Sequence, residues 1–263
     1  MEYVLIALVA LGAALLTFFS GFGLGTILMP VFALFFPVEI AIALTAIVHL
    51  TNNLFKTGLI WRSINFKVVL LFALPAALAA FFGAILLDWI SQNQVIILVY
   101  QIGDMVFRIT LLKIIIAALL ILFAVVEISK KLANFSLPKK YLPLGGLLSG
   151  FFGGLSGHQG ALRSIFLLKA GLGKEGYIAT GIAAAVLIDI SRLSVYGASF
   201  FAKHLQKVSE DKTILLIIVA CLAAFTGSFF GRKILKKITL PAIHLIVGMM
   251  ILLFGLLLGF GLI

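Results

Sequence analysis

The sequence predicts an all-α polytopic membrane protein built from two inverted repeats, each an interrupted, re-entrant helical hairpin followed by three transmembrane helices. Three observations carry that expectation. The chain is too apolar for water, six of its apolar runs have membrane length, and two glycine-rich interruptions stand at matching places in its two halves.

The first observation is compositional. Of 263 residues, 63% are hydrophobic and 11% charged, against roughly 25% charged in a soluble domain. A mean hydropathy of +1.27 leaves too few polar groups to cover a water-facing surface, so the bilayer is the solvent. Twenty Lys+Arg against nine Asp+Glu give a net charge of +11. In a soluble protein that excess would point to nucleic acid. Here the cations cluster between apolar runs, where they set membrane orientation, and no nucleic-acid partner is expected. The single cysteine, Cys221, excludes an internal disulfide and any multi-cysteine metal site.

Taken in chain order, Met1-Glu2-Tyr3 is followed at once by apolar residues, without the basic start of a cleaved signal peptide, and reads as the first membrane segment. Residues 4–36 are apolar on both sides of Ser20-Gly21-Phe22-Gly23-Leu24-Gly25. Full spans are expected at 38–61, 67–88, 109–128, 176–201, 213–232 and 240–262. Residues 141–170 form a second interrupted segment around Ser149-Gly150 through Gly160. The mixed stretch 89–108 is expected to be a loop or an interfacial helix. The first repeat then covers 1–128, a basic cytoplasmic linker 129–140, and the second repeat 141–263. A shift of about 136 residues carries Ser20-Gly21 onto Ser156-Gly157, Asn53 onto Asp189 and Lys56 onto Arg192. Interrupted segments at corresponding places in two halves point to the binding site of a secondary transporter.

Charge sorting decides how the interrupted segments run. If each crosses once, nine cations face one side and eight the other, which orients nothing. If each folds back, Arg62, Lys67, Lys130, Lys131, Lys139, Lys140, Lys169, Lys174, Arg232, Lys233, Lys236 and Lys237 share one side, and Arg108, Lys113, Lys203, Lys207 and Lys212 the other. That bias marks a cytoplasmic face and favours re-entrant hairpins, with both termini on the opposite side. The returning limb Thr26 to Phe36 would be about 16 Å long, half a membrane.

Lys56, Arg163 and Arg192 remain inside the apolar segments, where a charge costs at least about 2.5–3.5 kcal/mol at the centre. Together with helix N-termini opening near Thr26 and Gly160 they favour an anion. Neutral donors come from Ser20, Thr51, Asn52, Asn53, Ser156 and Gln159, and backbone from Gly21, Gly23 and Gly157. His158 and Asp189 are the proton-coupling candidates. Plainer readings stand beside these. Lys56 lies within snorkelling reach of the interface, Arg192 has Asp189 three residues away as an ion-pair partner, and glycine serves close helix packing. His49 lies on roughly the face of Asn52 and Asn53, one turn away. No Walker loop and no His-Glu-x-x-His is present. Two intramembrane carboxylates, Asp189 and Glu127, are too few for a cation cage. No enzyme activity, metal or cofactor is expected.

In the run Ser20-Gly21-Phe22-Gly23-Leu24-Gly25-Thr26-Ile27-Leu28-Met29-Pro30 and in Ser149-Gly150-Phe151-Phe152-Gly153-Gly154-Leu155-Ser156-Gly157 the chain resembles the sulfite exporter TauE/SafE family, also described as the toluene-sulfonate uptake permease type. The resemblance implies a multi-pass protein of the bacterial inner membrane that transports sulfite or organosulfonates. The second copy departs from the pattern at Gly157-His158-Gln159-Gly160 and has no proline matching Pro30. A channel for another inorganic anion, or a membrane subunit without transport, is the alternative.

Overall fold

In lipid a chain has to satisfy its backbone polar groups internally, which makes helices of long apolar runs. The computed structural model, which describes residues 2–18, 23–133, 135–201, 211–234 and 240–263, is accordingly dominated by helix. In order these are α1 (Glu2–Thr17), α2 (Leu24–Ala33), α3 (Val38–Ile60), α4 (Phe66–Asn93), α5 (Leu111–Ile128), the short α6 (Lys130–Ala133), α7 (Leu142–Ser156), α8 (Gly160–Leu167), α9 (Lys174–Tyr196), α10 (Asp211–Ile234) and α11 (Leu240–Gly259). Five stretches are long and apolar enough to cross a membrane: Val38–Ser63, Phe66–Asn93, Leu111–Ile128, Lys174–Ser199 and Lys212–Gly231. The sixth expected span forms α11, whose stretch His244–Gly259 is a shorter apolar helix.

The stretch 89–108 is neither a loop nor an interfacial helix. α4 continues through Trp89 to Asn93, and residues 96–110 form an antiparallel hairpin of β1 (Ile96–Ile102) and β2 (Met105–Thr110). Runs of β-branched and aromatic residues on both sides of Gly103-Asp104 favour this outcome, and Gly103 takes the positive φ of the turn. The hairpin is a departure from an all-α chain. Its Tyr100 hydroxyl donates to the carbonyl of Phe260, tying it to the end of α11. Side-chain caps then restart the helices: Asn65 accepts from Val68 N–H for α4, and Thr110 from Lys113 N–H for α5.

Glycine decides the closest packing. Gly146, Gly150 and Gly154, spaced four apart on α7, face the backbone carbonyls of Phe72, Ala76 and Ala80 on α4. Gly227 and Gly231 on α10 likewise face the carbonyls of Leu11 and Leu15 on α1. In both seams the residue numbers rise together, so α4 runs parallel to α7 and α1 parallel to α10. α3 and α9 cross antiparallel, as do α5 and α11, where Gly248 sits against Glu127 and Gly259 against Ala117. Such small-residue seams are how helices approach when lipid supplies no hydrophobic drive.

α8 runs back along α7. Gly145 at the start of α7 abuts the ring of Phe166 at the end of α8, and Ile165 C=O accepts from Leu137 N–H. At the same end Asn65 N–H donates to Thr180 Oγ1, and Gly176 approaches the carbonyl of Ser63. The α3–α4 connection, the residues leading into α7 and the start of α9 therefore gather at one end of the molecule. The β-hairpin and the end of α11 lie at the other.

Candidate functional site

The two interruptions have different backbones with one purpose. Between α1 and α2, Gly23 precedes the helix at φ +114°, and a Cβ there would lie 2.6 Å from Thr17 Cγ2. Between α7 and α8, Gly157 ends the helix at φ +81° with its N–H bonded to Gly153 C=O. Both conformations belong to glycine. The helices that follow, α2 and α8, present their N-termini to one small cavity of about 10 Å³, close to the size of a single water. Gly23, Gly25, Thr26, His49, Gly157, Gln159, Gly160 and Arg163 line it. Helix N-termini offer free N–H groups and partial positive charge.

Asp189, fully buried on α9, organises one wall. Its Oδ2 accepts from His49 Nδ1 at 2.6 Å, and its Oδ1 accepts from Arg192 Nε at 3.0 Å and NH2 at 2.7 Å. Gln159 Nε2 donates to the same Oδ1 at 3.4 Å. Asn53 Nδ2, one turn on along α3, lies against the same imidazole, 3.2 Å from Nδ1 and 3.3 Å from Nε2. A continuous chain, Asn53–His49–Asp189–Arg192, thus crosses from α3 to α9.

Arg192 pairs with Asp189, and it also secures the end of α7: NH1 donates to Gly153 C=O at 3.4 Å, while the Tyr196 hydroxyl one turn on donates to Gly154 C=O. A cation at a helix C-terminus complements its dipole. Lys56 does not snorkel. It is 4% exposed, and its Nζ sits 5.5 Å from the centre of the Phe18 ring, within electrostatic reach of Arg163. No carboxylate pairs with Lys56 among the described residues. Around the cavity three buried cations, Lys56, Arg163 and Arg192, face one buried carboxylate, Asp189.

The other expected site residues divide. Gly23, Gly157, Gln159 and Arg163 line the cavity, and Asn53 stands behind His49. Ser156 bonds to Phe152 C=O, and His158 Nδ1 donates to Ser156 C=O at 2.8 Å while its ring stacks on Phe123 of α5; neither lines the cavity. Thr51 bonds to Ile47 C=O, and Asn52 Oδ1 accepts from Ser228 on α10, so both serve α3 and its packing. Ser20 and Gly21 lie outside the described residues. His49, Gly25, Thr26, Gly160 and Tyr196 complete the constellation. The signal for His49 and Tyr196 was helical spacing, four residues from Asn53 and from Arg192.

A wider recess of about 650 Å³ opens at the end where the α3–α4 connection meets α9, lined by Phe18, Gly58 to Ser63, Lys174, Glu175 and Ile178. Phe18 lines this recess and also lies against Lys56, so the recess and the buried Lys56 share one aromatic neighbour.

A family model described as Sulfite exporter TauE/SafE matches residues 6–258, nearly the whole chain. The chain belongs to the TauE/SafE family. TauE/SafE proteins are membrane transporters and not enzymes, which agrees with the apolar helices and with the expectation drawn from the two glycine runs. No curated protein and no solved structure matches the chain.

Proposed function

We propose that this TauE/SafE chain is a secondary transporter for small oxyanions, sulfite or organosulfonates, working by alternating access in a bacterial inner membrane. The observation that carries the reading is the cavity at which the N-termini of α2 and α8 meet beside Arg163, with buried cations in excess of carboxylate. A pyramidal or tetrahedral oxyanion satisfies that excess. Arg163 and Lys56 supply charge, and backbone N–H groups at Thr26 and Gly160 with the Gln159 amide supply directed donors. Arg192 contributes indirectly, by fixing Asp189 and the end of α7. The cavity is too small for such an anion as it stands, so binding requires the interrupted helices to separate, as alternating access demands.

The inverted-repeat reading, 1–128 against 141–263 about the linker 129–140, is supported by the pairing of helices. Exchanging α1 with α7, α3 with α9, α4 with α10 and α5 with α11 turns the α4–α7 seam into the α10–α1 seam, and leaves α3–α9 and α5–α11 as antiparallel self-pairs. An in-plane two-fold axis produces that pattern. The re-entrant reading of the hairpins is supported by the gathering of Arg62, the chain leading into α7 and the start of α9 at one end. Under this topology that end is cytoplasmic and the recess beside Phe18 is the inward vestibule.

Purified protein in liposomes tests the function. Saturable uptake of radiolabelled sulfite or benzenesulfonate, with counterflow, is the expected result. Flux that does not saturate would make the protein a channel, and folded protein that moves none of sulfite, sulfonate or sulfate overturns the reading.

A further inference from the structure

One ionisable pair, a buried carboxylate and a part-buried histidine, lies apart from the anion cavity. Glu127, in the last turn of α5, is 5% exposed, and His244 Nδ1 on α11 lies 2.5 Å from its Oε2. The pairing is built into the helix contact: Gly248, one turn beyond His244 on the same face, gives the Glu127 stem room that a Cβ would reduce to 3.1 Å. An intramembrane carboxylate is costly and is a functional candidate by default. A second observation gives this one a direction. Tyr177 on α9 is within electrostatic reach of both Glu127 and Arg163, and it hydrogen-bonds to Ser164 beside Arg163. Tyr177 is therefore an electrostatic neighbour shared by Glu127 and the cation that lines the anion cavity.

We propose that Glu127 and His244 form a proton-binding site that is coupled through Tyr177 to the anion cavity, so that the protein carries one proton with each anion. The inference rests on the transport reading above. Without the extra proton, the neutral imidazole donates its Nδ1–H to the carboxylate and the pair carries −1. With it, imidazolium faces carboxylate and the pair is neutral. The unloaded charge opposes an anion held by Arg163, and loading the proton removes that opposition, so each ligand strengthens the other. Charged and titratable groups that could substitute are scarce around the pair among the described residues. α2 presents no ionisable side chain, Lys67 on α4 and Lys131 are exposed, and Asp88 lies near the far end of α4. His158 and Asp189 are engaged in the α7–α8 turn and in the α3–α9 crossing.

The test uses benzenesulfonate, whose charge is constant with pH. Calorimetry on the purified full chain should show affinity falling toward tenfold per pH unit as the pair loses its proton. His244→Gln, which removes the group that takes the extra proton, should bind with less than about a twofold change over the same range. In liposomes this variant should keep benzenesulfonate exchange and lose accumulation driven by an outside-acidic gradient. Glu127→Gln, which strips the imidazolium of its counter-charge, should move the pH dependence to lower pH, and a monodisperse profile in size-exclusion shows that either variant is folded. An unchanged pH slope in folded His244→Gln, or gradient-driven accumulation retained in it, overturns the proton site and leaves the transport reading intact. Absence of any binding or exchange in the unmodified protein overturns both.

Discussion

Asp189 on α9 and His49 on α3, 140 residues apart in sequence, are joined by a 2.6 Å hydrogen bond between Oδ2 and Nδ1. With Arg192 on the other carboxylate oxygen, this buried contact fixes the crossing of the two helices whose polar residues frame the cavity.

Removing the carboxylate should cost more than removing the histidine. Asp189→Ala leaves Arg192 buried without its counter-charge, a loss of about 3–5 kcal/mol, whereas His49→Ala forfeits a hydrogen bond of about 1.5–3 kcal/mol to a charged acceptor. Thermal unfolding in detergent should show the larger fall in midpoint for Asp189→Ala. Equal falls would deny Asp189 its central place.

Lys56 and Arg163 should act on binding, and Arg192 on stability. Lys56→Gln and Arg163→Gln are each expected to weaken benzenesulfonate or sulfite by tenfold or more, about 1.4 kcal/mol each, while keeping the folded yield. Arg192→Gln should lower the unfolding midpoint first. The reverse assignment, with Arg192 setting affinity in well-folded protein, is what calorimetry would have to find to refute this division.

The glycine seams give a sharp contrast. A Cβ at Gly150 or Gly154 meets a backbone carbonyl of α4 that has no side chain to move aside, whereas one at Gly12 meets nothing within 4 Å. Gly150→Val and Gly154→Val should abolish the monodisperse peak in fluorescence-detected size-exclusion. Gly12→Ala should leave it unchanged.

Topology is open to labelling. In a Cys221→Ala background, cysteines at Lys131, Lys139 and Lys174 should all be blocked by one class of membrane-impermeant reagent, from the cytoplasmic side. A cysteine at Asp104, in the β-hairpin turn, should react from the other side. Lys139 and Lys174 reacting from opposite faces would mean that the α7–α8 segment crosses the membrane.

Much of the fold was legible because lipid is an exacting solvent: 18 or more apolar residues in a row have few alternatives to a helix. The same crudeness hid the hairpin. Val95 to Ile102 and Met105 to Thr110 are apolar but β-branched, and their strand preference is a local signal that a reading tuned to membrane length passes over. At the site, the sequence exposed which ionisable residues are buried and left their pairing open. Arg192 had a partner within one helical turn and took it. Lys56, with the interface in reach, lies against Phe18, a residue just after the end of α1 that no local spacing connects to it. Asn52 and Asn53 are adjacent, yet a 100° step around α3 sends one to Ser228 and the other to His49.

The parallel glycine seams weld helices that the chain order separates. α4 is joined backbone to backbone with α7, and α1 with α10, so each tight unit draws one member from residues 2–93 and one from residues 142–234. The pieces that can move as rigid bodies are therefore not the N-terminal and C-terminal portions of the polypeptide. They are two interlaced pairs, α4 packed on α7 and α1 packed on α10. A rearrangement that opens the space between α2 and α8 would have to slide these pairs past each other with the chain crossing from one to the other. The two portions, made as separate polypeptides, would each offer an unfilled glycine groove, and would need one another to become stable at all.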